Sequence, residues 1–113
     1  MGYSPGVGPN TKKLQAVASL SNASAAVWGA VSGQKWTLDN IFVSYSGATK
    51  GQEIILCEND ASGTVGRIPI EATQKSDFFH VGFSASDTNT SLRMVAPAAG
   101  TVTAVFVGHS GGE

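Results

Sequence analysis

A chain of 113 residues with 42% hydrophobic side chains is long enough for one domain with its own core and too short for two, and it does not have the composition of a disordered chain. Only 13% of the residues are charged and the formal net charge is −1, against ~25% charged in an average soluble domain. The seven basic residues are scattered, with only Lys12 and Lys13 adjacent, so no clustered cationic footprint for nucleic acid exists, and no apolar run approaches the ~18 residues of a membrane helix.

A single cysteine, Cys57, excludes an intrachain disulfide framework and any multi-cysteine zinc site. The opening MGYSPGVGPN lacks the basic and apolar regions of a signal peptide, so synthesis in a cytoplasm-like compartment is expected. Solubility must then rest on Ser, Thr, Asn and Gly. A surface so poor in charge also suits a packed interface, whose centre is depleted in charged side chains.

Residues 1–12 form an extended N-terminal arm. Met1 to Asn10 holds three Gly and two Pro, with Tyr3 and Val7 as its only sizeable apolar side chains. Pro lacks a backbone donor and Gly is entropically costly to fix, so this stretch forms neither a helix nor a central strand. Its contact candidates are Tyr3, Pro5, Val7 and Pro9.

From residue 13 to residue 113 the chain reads as one β domain. Lys13–Leu20 alternates, with Leu14, Ala16, Ala18 and Leu20 on one face. Ala25–Val31 is a second apolar stretch closed by Ser32-Gly33; its alanines would suit a helix, but Val27, Trp28 and Gly29 weigh against one. Lys35–Tyr45 is the most β-prone run. Trp36 and Leu38 share one parity whereas Ile41, Val43 and Tyr45 share the other, so an extra residue near Asp39-Asn40, a β-bulge, is needed to bring both sets to one side.

Glu53–Glu58 follows a loop and leads into the turn-rich Asn59–Gly63. Thr64–Ile70 is strand-like, but Pro69 confines it to a sheet edge or places Pro69 at its end. Asp77–Ser84 sets Phe79, Val81 and Phe83 on one face and Phe78 and His80 on the other. Ser91–Ala96 turns Leu92 and Met94 inward. Thr101–Gly108 alternates Val102, Ala104 and Phe106 against Thr101, Thr103 and Val105. About eight short strands without a convincing amphipathic helix predict an all-β fold: an eight-stranded, two-sheet β-sandwich of jelly-roll type.

Signals for chemistry are weak. His80 and His109 have no second ligand at metal spacing; His80 reads as packed or interfacial, His109 as a solvent or subunit contact. No nucleophile elbow supports a serine triad. Glu53, Glu58, Asp60 and Glu71 could pair across strands, but nothing in the spacing selects a pair. Glu58-Asn59-Asp60 and Asp87-Thr88-Asn89 lack the spaced ligand pattern of a calcium loop and fit Asx turns. Gly6-Val7-Gly8 lacks the strand and helix of a phosphate cradle. Asn22-Ala23-Ser24 and Asn89-Thr90-Ser91 match the glycosylation sequon by coincidence in a chain without a signal peptide. No catalytic residue, cofactor or metal is assigned. Cys57 is expected in the core.

Two groups remain for binding. Trp28, Trp36 and Tyr45 could form an aromatic platform for a sugar ring, the reading of a lectin-like or receptor-binding module. Phe78-Phe79 is the stronger signal: adjacent strand residues face opposite sides, so one ring, assigned to Phe78, points away from the core as a subunit contact.

The arm MGYSPGVGPN, the lead-in SNASAAVWGAVSGQKW and the terminal AAGTVTAVFVGHSGGE together resemble the small jelly-roll capsid decoration, or cement, proteins of tailed bacteriophages. The resemblance implies a non-catalytic virion protein on the capsid surface, trimeric, that binds the major capsid protein and stabilises the head. It also implies that an extended arm clamps neighbouring capsid subunits. The lectin-like or receptor-binding module of a virion tail or cell surface is the alternative.

Overall fold

The computed structural model describes residues 12–59 and 63–112. Eight strands follow one another without a helix among the described residues: β1 (Lys12–Leu20), β2 (Ser24–Trp28), β3 (Gln34–Ser46), β4 (Glu53–Glu58), β5 (Thr64–Pro69), β6 (Gln74–Ser84), β7 (Leu92–Val95) and β8 (Thr101–Gly112). They form two antiparallel four-stranded sheets, ordered β1-β8-β3-β6 and β2-β7-β4-β5. The first strand pairs with the last and, apart from the β4–β5 hairpin within one sheet, successive strands lie in opposite sheets, which is the jelly-roll order.

The inner faces carry the apolar sets expected from alternation. From the first sheet come Leu38, Ile41, Val43, Val102, Ala104 and Phe106; from the second come Ile54, Leu56, Leu92 and Met94, all buried. Leu14, Ala16, Ala18 and Leu20 of β1 pack against this core from the edge. Pro69 ends β5, and β5 is an edge strand, so the missing donor removes no ladder bond inside the sheet.

The bulge lies where the parity change requires it. Leu38 pairs with Gly108 and Asn40 with Val107, so three residues of β3 oppose two of β8 and Asp39 is the extra one. Trp36 and Leu38 therefore join Ile41, Val43 and Tyr45 in the core.

Several expectations need correction. The second strand stops at Trp28 and does not continue to Val31. Lys12, placed in the arm, belongs to β1 and pairs with Ser110. The last strand runs on through His109 to Gly112, because Gln34 and Lys35 of β3 supply partners for Gly112 and Gly111. Val81 is exposed, not inward with Phe79 and Phe83. Opposite the bulge, Asn40 pairs with His80 but Leu38 with Phe83. Val81 and Gly82 thus face a single residue, and Gly82 takes a positive φ of 65°, which breaks the alternation.

The sugar platform that three aromatics could have formed is absent from the surface. Trp28, Trp36 and Tyr45 are all buried in the core. Trp36 Nε1 donates to the carbonyl of Thr90 at 2.9 Å in a buried bond, and the Tyr45 hydroxyl accepts from the Glu71 amide at 3.1 Å. Replacing Trp36 with Phe keeps most of the packing but strips a buried carbonyl of its donor. A loss of about 1–3 kcal/mol is expected, read as a lower denaturation midpoint at unchanged slope.

Candidate interaction face

The outer face of the β1-β8-β3-β6 sheet can be built row by row from the register. Val17 of β1 lies opposite Val105 of β8, Val105 opposite Phe42 of β3, and Phe42 opposite Phe78 of β6. Each is the outward neighbour of an inward core residue, so the four side chains form a continuous apolar row across all four strands. At ~4.8 Å between strands the row is about 14 Å long. Val17 is 66% exposed, Phe78 54% and Phe42 47%. The two phenyl rings lie 6.5 Å apart, tilted at 54°, and the His80 ring meets Phe78 edge-on at 4.9 Å.

The rows on either side are polar without being charged. Toward one end lie Ser19, Thr103, Ser44 and Ser76, then Thr101, Ser46 and Gln74. Their hydroxyls bond one another: Ser19 to Thr103 at 3.1 Å, Ser21 to Thr101 at 2.8 Å, and Ser76 to Ser44 at 3.3 Å. Toward the other end lie Gln15, Val107, Asn40 and His80, with His80 Nδ1 donating to Asn40 Oδ1 at 2.7 Å. Asp, Glu, Lys and Arg are absent from these rows. Formal charge returns beyond them, at Lys13 and at the bulge residue Asp39, which accepts from His109 Nδ1 at 3.0 Å. His109, expected as a solvent or subunit contact, is thus engaged within its own chain.

An apolar row with hydroxyls on one side and no Asp, Glu, Lys or Arg in the rows on either side is inexpensive to desolvate, because no carboxylate, ammonium or guanidinium loses its hydration. The arrangement has the composition of an interface centre with a polar surround. Phe78 points outward in this row, as its parity predicts. Tyr3, Pro5, Val7 and Pro9, the other expected contacts, lie outside the described residues. Phe42, Val17 and Val105 complete the row and were missed in the sequence. Parity alone turns Phe42 outward, between Ile41 and Val43, but only the pairing register aligns it with Phe78 and the valines.

The carboxylates that sequence reasoning left open serve local roles. Glu53 accepts from Arg67 Nη1 at 2.8 Å. Glu58 accepts from the amide and the hydroxyl of Ser86 at 3.0 and 2.5 Å. Glu71 and Asp77 flank Lys75; the hydrogen bond to Glu71 first, then that to Asp77, holds the Lys75 ammonium well above its ordinary pKa. Asp60 lies outside the described residues. Asp87 Oδ1 accepts from the Thr88 amide, and Asn59 Oδ1 accepts from the Ser91 amide while Asn59 and Asn89 take positive φ, which are turn roles. Among the described residues no three His, Cys, Asp or Glu side chains gather as a metal site.

Two apolar depressions open between the sheets. One, about 300 Å³, sits between β5 and β6 and is lined by Ile41, Leu56, Ile68, Phe79 and Val81, with Arg67 and His80 among its polar residues. The other, about 250 Å³, sits beside the root of the arm and is lined by Leu14, Val27, Trp28, Val31, Trp36 and polar neighbours including Gln34, Thr90 and Ser110.

No protein-family profile and no curated protein matches the chain. Among solved structures, the crystal structure of FLHE shares 17% sequence identity and aligns with a TM-score of 0.42 over 88% of this chain and 96% of its own. A likeness at that level carries no functional argument.

Proposed function

We propose that this protein is a non-catalytic structural component of a phage virion, a capsid decoration protein that associates with copies of itself and with the major capsid protein to stabilise the head. The observation that supports it is the outer face of the β1-β8-β3-β6 sheet, where exposed Val17, Phe42 and Phe78 and half-buried Val105 form an apolar row within a field free of formal charge. In this reading that face docks on a capsid subunit, and the arm carrying Tyr3, Pro5, Val7 and Pro9 makes a second contact, so that attachment gains from two linked sites. The jelly-roll order and the likeness of the arm and terminal strand to decoration proteins point the same way. The lectin-like alternative rested on Trp28, Trp36 and Tyr45, which are buried in the core rather than displayed as a surface platform.

The test is co-sedimentation of the protein with capsids assembled from the major capsid protein of the same genome, alongside sedimentation equilibrium of the protein alone. The double variant Phe42→Ser/Phe78→Ser should stay folded, since exposed substitutions shift stability by about 0.5 kcal/mol or less. Its capsid affinity should fall by at least ~30-fold if each ring contributes about 1 kcal/mol or more at the centre of an interface. Deleting residues 1–10 should weaken attachment further. Equal binding by the double variant and the parent chain would overturn the assignment of this face.

A further inference from the structure

The apolar row on the outer face of the β1-β8-β3-β6 sheet is graded in size. Val17 and Val105 occupy one half of it, on β1 and β8; Phe42 and Phe78 occupy the other, on β3 and β6. Val17, Phe42 and Phe78 are exposed and Val105 is half-buried. The face therefore has a thin half and a thick half. A flat partner would rest on the rings and leave a gap above the valines. A partner with the opposite gradient closes that gap, because facing layers interdigitate when large side chains meet small ones.

The same face of a second copy has that gradient when it is turned about a two-fold axis running along the strands. Such an axis exchanges the ends of the row. Val17 then meets Phe78 of the other copy and Val105 meets Phe42, so every step across the contact holds one valine and one ring. A two-fold axis along the row would instead stack ring on ring and valine on valine, wedging the sheets apart at one side.

Charge agrees with the first arrangement. A face with a strong charge of one sign repels its own copy, and this face has none in its central rows. In the end row, Lys13, His109, Thr37 and Ser84 follow one another across the sheet, with Asp39 beside Thr37 and bonded to His109. Exchanging the ends lays Lys13 over neutral Ser84 and each His109 over the Asp39 side of the other copy, so no like charges meet.

The extent of the face sets the strength of the contact. Four strands at ~4.8 Å, and the stretch of β8 from Thr101 to His109 at ~3.4 Å per residue, span about 19 by 27 Å. Two facing copies then cover about 1,000 Å² in all, the low end for a specific interface. That area suits a weak, exchangeable pair.

We propose that in the unassembled protein this face is covered by the same face of a second copy, the two sheets stacked about a two-fold axis parallel to the strands. The pair rests on the reading of this face as an interface and names its occupant before a capsid subunit takes the place. It is isologous, with the sheets about 10 Å apart as in an aligned sandwich.

Sedimentation equilibrium of the full chain should show a monomer–dimer equilibrium. Val17→Phe sets ring against ring and should raise the dissociation constant at least ~10-fold. Adding Phe78→Val to the same chain restores one valine and one ring at each step and should bring the constant back close to the parent value. Both positions are exposed, so the variants should stay folded. In a mixture of two differently labelled chains, NMR cross-peaks should join the Val17 methyls of one chain to the Phe78 ring of the other. Within one chain those groups stand three strand spacings apart, about 14 Å, too far for cross-relaxation. A parent chain that is monomeric at millimolar concentration, or a double variant that pairs no better than Val17→Phe, would overturn the proposal. Cross-peaks joining Val17 to Val17 or Phe78 to Phe78 would overturn it as well. In each of those cases, loss of capsid co-sedimentation by Phe42→Ser/Phe78→Ser would still uphold the capsid reading. Conversely, a dimer with the expected cross-peaks, alongside undiminished capsid binding by that variant, would remove the capsid reading of this face and leave the pair.

Discussion

Deleting Asp39 should abolish cooperative folding, although Asp39 is a partly exposed residue whose side chain accepts from His109 Nδ1. The reason is parity. With the bulge present, Trp36 and Leu38 before it and Ile41, Val43 and Tyr45 after it all face the core. Without it, a regular β3 must turn one set outward. Exposing the smaller set means losing the burial of a Trp and a Leu, about 1.5–3 kcal/mol for a side chain of leucine size and no less for the indole. It also brings Thr37 inward, away from the Ser84 hydroxyl that it now meets at 2.8 Å, at a further ~1–3 kcal/mol for an unpaired hydroxyl. The total is comparable with the ~5–15 kcal/mol that holds an ordinary domain together. Asp39→Ala keeps the residue count and loses only an exposed pair, so it should cost under about 1 kcal/mol. Urea denaturation followed by tryptophan fluorescence separates the two. A deletion variant with the parent's midpoint would show that β3 is not pinned at this position.

Gly108→Ala should be strongly destabilising, and again the bulge is the cause. Gly108 stands opposite Leu38, at the point where β3 closes up on β8. A Cβ there would lie 2.0 Å from the Thr37 carbonyl oxygen and 2.9 Å from Trp28 Cη2. The first contact is with backbone inside a paired strand, which cannot yield without breaking ladder bonds. The second is with a ring wedged between Trp36 and Phe106. Overpacking at a rigid site costs typically about 1–3 kcal/mol and more when backbone must move, so ~3 kcal/mol or more is expected. With a slope of about 1–3 kcal/mol per molar urea, the midpoint should fall by at least ~1 M. Gly29→Ala is the control, because a Cβ there meets nothing within 4 Å. Equal midpoints for the two variants would contradict the close approach of β3 and β8.

The two variants probe one device from opposite strands. The extra residue in β3 puts five large side chains into the core and forces a glycine on β8. Across the sheet, the same irregularity sets Val81 and Gly82 of β6 against Asp39 alone and releases Val81 to the surface. The outer rows beyond Asn40 then run in step, and that brings Phe42 level with Phe78 and Val105.

Alternation along the chain was enough to determine the fold class, the inward sets of β1, β3, β7 and β8, the outward turn of Phe78 and the bulge itself. These follow from a period of two applied to single strands, and the break at Asp39-Asn40 is visible because a sheet cannot bury both parities at once. Local pattern was silent wherever a partner strand decides. β8 extends to Gly112 because β3 offers it a ladder, against the turn-forming tendency of Gly111 and Gly112. Trp28, Trp36 and Tyr45 have the residue types of a sugar platform; the bulge parity already sets Trp36 and Tyr45 with the inward residues of β3, and only the closing of one sheet over the other placed Trp28 beside them in the core. The row of Val17, Val105, Phe42 and Phe78 comes from residues up to 88 positions apart in sequence (17 to 105). Each is an ordinary outward apolar residue on its own strand; their meeting depends on strand order and register, which long-range pairing alone sets.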